Sequence, residues 1–297
     1  MSKTLKSLLS ESKLQLDGTS SSPSLDAEVL ICHALNIAKK DLILQADQNL
    51  TAKKIAKIED LIHRRKNGEP IAYILKQKEF YGLNFIVSPA VLIPRPESEW
   101  LIETALDKIQ QAARKKQLEN CKTCFTLRVL DLGTGSGCLG ISLINESKKL
   151  SPVFCNLLSE YCASDVSPVA LNVARKNAKI HQIKNIKFIH SDLFSNRFLH
   201  KKFDLIIANL PYVPKDLKTM DELRYEPSGA IFADDNGSDI IKKFLDQVPN
   251  YLSNNSTILI ELDPRNAQEV QRYAKKIFKN VELTKDLAGL DRYLTIS

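Results

Sequence analysis

Asp131-Leu132-Gly133-Thr134-Gly135-Ser136-Gly137 decides the fold. A strand, Thr126 to Leu132, leads into it, and a helix through Leu139 to Ile144 follows. The stretch therefore predicts a strand, a sharp turn and a helix. Glycines at alternate positions let the backbone turn tightly and come close to a ligand. The following helix offers its free N–H groups to a negative or polar group. Gly135, Gly137 and Gly140 also satisfy the GxGxxG spacing of dinucleotide-binding turns, so the turn alone does not select a cofactor.

On either side strands and helices alternate. A helix is expected from Glu97 to about Lys116, and a strand ends at Asp165. Ser167-Pro168 opens the next helix as cap and first residue. Further strands are expected at Ile186 to Ile189, Leu205 to Ala208 and Ile258 to Leu262, with helices near 238–252 and 266–278. Val281 to Leu283 and Tyr293 to Ile296 read as two closing strands. The alternation predicts a doubly wound, mostly parallel α/β sheet with helices on both faces. Ligands of such sheets sit at the carboxyl ends of the strands.

The first part of the chain reads differently. Residues 1 to about 80 look helical. Ser24 is expected to cap a helix with Leu25, Val29, Leu30 and Leu35 at helical spacing, and Thr51 another with Ile55, Ile58, Leu61 and Ile62 on one face. Asn67-Gly68 closes the second, and Thr19 to Ser22 form a short polar, Ser-rich stretch. Tyr81-Gly82 and Ser88-Pro89 bracket Leu83 to Val87 and predict a β-hairpin. The expected division is a helical domain at 1–80, a hairpin linker at 81–96 and a catalytic domain at 97–297.

Composition narrows the class. The chain has 297 residues, 43% of them hydrophobic, which suits one or two globular domains. No apolar run approaches the roughly 18 residues of a membrane span, and MSKTLKSLLSESK lacks the apolar core of a secretory leader. A cytoplasmic location is expected. The net charge of +7, from 42 basic and 35 acidic residues, permits contact with nucleic acid or acidic protein without requiring it. Cysteines at 32, 121, 124, 138, 155 and 162 are expected to be reduced thiols. The single CxxC, Cys121 and Cys124, has no second pair at zinc spacing, so no metal is expected.

The strand ends carry the chemistry. A carboxylate at Asp165 can accept hydrogen bonds from both ribose hydroxyls of a nucleoside. Asp192 can take the exocyclic amine of adenine, with Leu193 and Phe194 covering the ring. These features fit a nicotinamide dinucleotide and S-adenosylmethionine equally. Asn209-Leu210-Pro211-Tyr212 at the next strand end makes the choice. It resembles the (N/D)PP(Y/F) motif of methyltransferases acting on nitrogens of planar groups. Ile93-Pro94-Arg95-Pro96-Glu97-Ser98-Glu99 stands upstream. Glu226-Pro227, Asp235-Asn236-Gly237 and Asp286-Leu287-Ala288-Gly289-Leu290-Asp291-Arg292 stand downstream. Together they resemble the PrmC/HemK family, the release-factor glutamine N5-methyltransferases, over most of the chain.

The resemblance implies a seven-stranded Rossmann-like methyltransferase sheet with an antiparallel last strand. It also implies S-adenosylmethionine as cofactor, contacts to it from Gly133, Thr134, Gly135, Ser136, Gly137, Asp165, Asp192, Leu193 and Asn209, and a substrate glutamine held by Asn209, Leu210, Pro211 and Tyr212. Arg95 and Glu97 are expected near the domain junction. The partner implied is a peptide chain release factor gripped by the helical domain, with the enzyme a monomer. An amide nitrogen is a poor nucleophile because its lone pair is delocalised. Two acceptors, the Asn209 side-chain oxygen and the residue 210 carbonyl, would orient it, and Tyr212 would pack on its flat face. Leu210 departs from the family's first proline, yet it still supplies a carbonyl, and Pro211 keeps it extended. A DNA adenine-N6 methyltransferase and a ribosomal-protein glutamine methyltransferase share the motif and remain alternatives. A NAD-dependent oxidoreductase would leave Asn209 to Tyr212 unexplained, and an inactive binding module would be marked by Leu210.

Overall fold

The computed structural model describes residues 3–118, 127–150, 160–215 and 221–297. The CxxC pair, Cys155 and Thr126 lie outside the described residues. The chain divides into two compact units, Met1–Gln77 with Thr219–Tyr225, and Lys78–Lys218 with Glu226–Ser297.

The first unit is helical. Helices Leu5–Leu16, Pro23–Leu35 and Ala52–Lys66 bury Leu5, Leu8, Leu30, Ile31, Ile58 and Ile62 together. Thr51 caps the third of them as expected, its hydroxyl accepting from the Lys54 N–H, and Gly68 follows its end at φ +89°. The expected cap of the second is corrected. Pro23, which lacks an N–H, occupies the first helical position, so the cap is Ser22 and Ser24 lies inside the helix. The buried stripe is then Ala27, Leu30, Ile31 and Ala34, and Leu25 stays 52% exposed. The Ser-rich stretch has a structural task. Ser20 and Ser22 hydroxyls donate to the buried Asp26, which also pairs with the buried Arg65 at 2.7 Å. Late in the chain, Arg224 and the Tyr225 hydroxyl both donate to the Asn67 carbonyl, so a segment distant in sequence completes this unit.

The second unit opens with a hairpin, β1 (Gln77–Phe80, all but its first residue in this unit) and β2 (Leu83–Ile86). Tyr81 and Gly82 both have positive φ at its turn, the backbone twist that two-residue hairpins favour. The remaining strands are β3 (Arg128–Leu132), β4 (Glu160–Asp165), β5 (Ile186–His190), β6 (Phe203–Ala208), β7 (Val213–Pro214), β8 (Phe232–Ala233), β9 (Leu252–Glu261), β10 (Val281–Lys285) and β11 (Asp291–Ile296). Among the described residues, seven strands form one sheet in the order β10-β11-β9-β6-β3-β4-β5. The pairs β9–β6, β6–β3, β3–β4 and β4–β5 are parallel, and β11 runs antiparallel to both neighbours. This is the doubly wound, mostly parallel sheet that the alternation of elements implied, with the antiparallel last strand that the resemblance implied.

Both faces of the sheet are buried, which is why its strands read as continuous apolar runs. Leu130, Ile206 and Ile258 point into one core, and Val129, Leu205 and Leu259 into the other. Each fully buried aliphatic side chain contributes about 1.5–3 kcal/mol. The reversal of strand order between β3 and β6 opens a crevice at their carboxyl ends, and the glycine turn, Asp165 and Asn209 all lie there.

Candidate active site

A cavity of about 850 Å³ occupies this crevice within the second unit. Gly133, Thr134, Gly135, Ser136, Asp165, Asp192, Leu193, Asn209, Leu210 and Pro211 line it. Of the sequence-predicted site residues, Gly137 and Tyr212 are not in the lining. A Cβ at Gly137 would lie 3.0 Å from Ile141 Cδ1 and 3.2 Å from Ala174 Cβ, so this glycine serves helix packing. Tyr212 sits behind the wall, its hydroxyl donating to Glu261 at 2.8 Å.

The turn after β3 is tied to β4. The Gly133 and Thr134 N–H groups both donate to the Ser164 carbonyl at 2.9 Å. Asp165 accepts from the Gly135 N–H at 2.9 Å and the Ser167 N–H at 2.8 Å. Burial raises its carboxyl above the ordinary range, against the pull of those two N–H groups. Asp131 lies fully buried beneath the turn, taking the Thr134 hydroxyl at 2.6 Å and the Gly140 N–H at 3.2 Å. Burial pushes its carboxyl up to about 7. Ser164 Oγ is buried at the cavity wall without a hydrogen-bond partner.

The adenine-side expectations divide. Asp192 is exposed at the cavity edge and Leu193 takes φ +45° there. Phe194 is turned into the core, stacked on Tyr251 with centroids 4.0 Å apart. Its edge reaches the cavity, but its faces are committed to packing. Tyr251, Ile240 and Gln247 also line the cavity, and no motif of the sequence marks them.

Asn209 follows β6, and the register Ala208↔Ile260 sets it beside Glu261 at the end of β9. Its side-chain NH2 donates to Glu261 Oε2 and to Ser98 Oγ, each at 3.0 Å. Ser98 Oγ in turn donates to Glu261 at 2.5 Å. A carboxylate only accepts, so the NH2 must face it and Oδ1 must face away. Glu261, 1% exposed, has a carboxyl raised by burial and drawn back by Ser98 and Tyr212. Burial and the adjacent Glu261 hold the Tyr212 hydroxyl protonated, far above its ordinary range.

Loop backbones are clamped as well. The Tyr212 carbonyl accepts from Asn266 Nδ2 at 3.1 Å and lies so close to Gly237 that a Cβ there would sit 2.0 Å away. Leu210 is buried, with its Cδ2 so close to Gly133 that a Cβ there would lie 3.2 Å away. Arg95 pairs with the buried Glu226, whose other oxygen accepts from the Ile93 N–H at 2.8 Å. Glu97 is exposed, and its carbonyl accepts from the Tyr293 hydroxyl at 2.7 Å. Asp286 takes the Ala288 and Leu290 N–H groups and Arg292 Nε, so the motif downstream of β10 is a self-bonded turn. The sequence motifs thus converge on this region, together with Glu261 and Asn266, which belong to none of them. A carboxylate closing the apolar run ILIE was the one available signal.

The PrmC N-terminal domain family matches residues 7–75, and a methyltransferase domain family matches residues 123–290. The release factor glutamine methyltransferase of Buchnera aphidicola subsp. Baizongia pistaciae is 34% identical over 291 residues, 97% of each chain. This chain belongs to the release factor glutamine methyltransferases. The relative from Koribacter versatilis is 35% identical over 274 residues, covering 91% of this chain and 90% of its own. Among solved structures, the hMettl16 catalytic domain in complex with the MAT2A 3′UTR hairpin 6 superposes with a TM-score of 0.52. It is 16% identical over 80% of this chain and 82% of that one, a likeness of fold. No helix among the described residues of this family member is long and apolar enough to cross a membrane.

Proposed function

We propose that the protein moves a methyl group from S-adenosylmethionine to the N5 amide nitrogen of the glutamine in the Gly-Gly-Gln loop of peptide chain release factors, in the cytoplasm. The observation that carries this reading is the asparagine at the end of β6, whose NH2 is consumed by Glu261 and Ser98 so that Oδ1 is the open acceptor.

The cavity's residues fit the cofactor. Asp165 retains lone pairs for ribose hydroxyls, Asp192 stands at the edge for an exocyclic amine, and the partnerless Ser164 Oγ offers a further polar contact. Leu193, Ile240 and Tyr251 supply apolar walls for a purine. Bound S-adenosylmethionine supplies a methyl on a positively charged sulfur, already activated for displacement. The chain's task is then to orient the acceptor. Asn209 Oδ1 takes one amide N–H and the Leu210 carbonyl takes the other, turning the nitrogen lone pair toward the methyl. Tyr212 anchors the loop from behind through Glu261, and the amide-face contact falls to the lining residue Pro211. The product amide releases its proton to water. The helical unit, Met1–Gln77, grips the release factor.

Asn209→Ala should fold and lose about 10²–10³ in kcat, the cost of one preorganised polar contact. Asp165→Ala should weaken cofactor binding by about 1–3 kcal/mol in calorimetry. Full activity of the first variant would remove Asn209 from the reaction, and an unchanged Kd in the second would move the ribose elsewhere.

A further inference from the structure

An asparagine side chain has nearly the same shape with its oxygen and nitrogen exchanged. Only hydrogen bonding decides which end faces a substrate. At Asn209 the decision rests on Glu261. This buried carboxylate receives three donors, the Ser98 hydroxyl at 2.5 Å, the Asn209 NH2 at 3.0 Å and the Tyr212 hydroxyl at 2.8 Å. Ser98 alone could not decide, because a hydroxyl donates or accepts equally well.

We infer that Glu261 is a positioning residue for methyl transfer, fixing the Asn209 amide with its oxygen toward the acceptor nitrogen. Through Tyr212 it also holds the far end of the same four-residue loop. The inference rests on the function proposed above. Its geometry is redundantly supported. The parallel register of β6 and β9 places the two residues side by side. The turn bearing Ser98 is held by Tyr293, which donates to the Glu97 carbonyl and stacks on Trp100 with centroids 4.2 Å apart. A carboxylate buried to this degree is retained only when its lone pairs are met, and here the donors are three groups of the site.

The role can be tested by reversing donors and acceptors. Glu261→Gln keeps the shape but offers an NH2 as well as an oxygen, so Asn209 can turn over. Asn209→Asp sets two carboxylates against each other. In the double variant the new amide NH2 donates to Ser98 and Ser98 donates to the new aspartate, so the repulsion is removed while an acceptor still faces the cavity. Purified wild type and the three variants are compared for kcat and KM on a release factor, for S-adenosylmethionine Kd by calorimetry, and for melting temperature. Glu261→Gln should lower kcat about 10²-fold and Asn209→Asp about 10³-fold, with KM for the release factor and cofactor Kd each within about threefold. The double variant should recover at least about tenfold over Asn209→Asp. Glu261→Gln within about threefold of wild-type kcat overturns the inference, as does a double variant no faster than Asn209→Asp. Should Glu261→Gln alone fail to fold, the double variant, in which donors and acceptors match again, is compared with Asn209→Asp and decides. A wild type that leaves the release factor unmethylated rejects the function itself, whereas an active wild type with no rescue rejects only the role of Glu261.

Discussion

Asp131 shows how much one residue of the cofactor turn costs. Its carboxyl is fully buried, it accepts two hydrogen bonds, and its Oδ1 has no partner. Burial raises it from the ordinary 3.8 to about 7. The folded chain therefore holds a proton that the unfolded chain releases. Its contribution is fully present below about pH 4 and is lost as pH rises through about 7, by roughly 4 kcal/mol at 1.36 kcal/mol per unit. Denaturation midpoints at about pH 5 and pH 8 should fall with pH in the wild type and fall less in Asp131→Asn. Equal slopes would place the titration on Asp165 or Glu261, both also raised by burial. At this scale Gly133, Asp165 and Asn209 were legible because each closes an apolar run next to a turn. The joint role of Glu261 and Ser98 was not, although Glu261 also closes an apolar run and Ser98 stands in the upstream motif. They meet Asn209 from 52 and 111 residues away, and no local pattern encodes such a meeting.

Elements were legible where the apolar period was clean. The sheet strands and the Ser167-capped helix Pro168–Ile180 fall close to where the pattern puts them. β9 begins earlier than expected, at Leu252, because its polar start, Ser253 to Ser256, breaks the apolar run. A register shift against β6 and an αL residue at Asn255 absorb that stretch. The helix from Pro23 starts two residues before the expected Ser24 cap allows, because proline outranks serine at a first turn. Packing between elements was not legible. Asn177, buried in the helix Pro168–Ile180, accepts from the Ile86 N–H at 2.7 Å and donates to the Ile86 carbonyl at 3.0 Å and the Ser136 carbonyl at 2.8 Å. One side chain thus ties the hairpin to the cofactor turn. Asn177→Ala leaves three backbone groups unpaired and should cost about 2–4 kcal/mol in chemical denaturation. A loss under about 0.5 kcal/mol would mean that water replaces those bonds.

At the scale of the molecule, the helical start and the α/β remainder were legible from composition and period. The return of residues near Tyr225 to the helical unit was not, since hydrogen bonds to a single carbonyl leave no sequence pattern. The order of motifs along the chain carried the family, and folding brings Ser98, Asn209, Tyr212 and Glu261 to one strand end. The decisive measurement is mass spectrometry on a release factor, a ribosomal protein and DNA, each incubated with the purified protein and S-adenosylmethionine. The expected result is one added methyl on the glutamine of the Gly-Gly-Gln peptide, lost with Asn209→Ala, and none on the other two acceptors. An unmodified release factor beside a methylated ribosomal protein or DNA would contradict it.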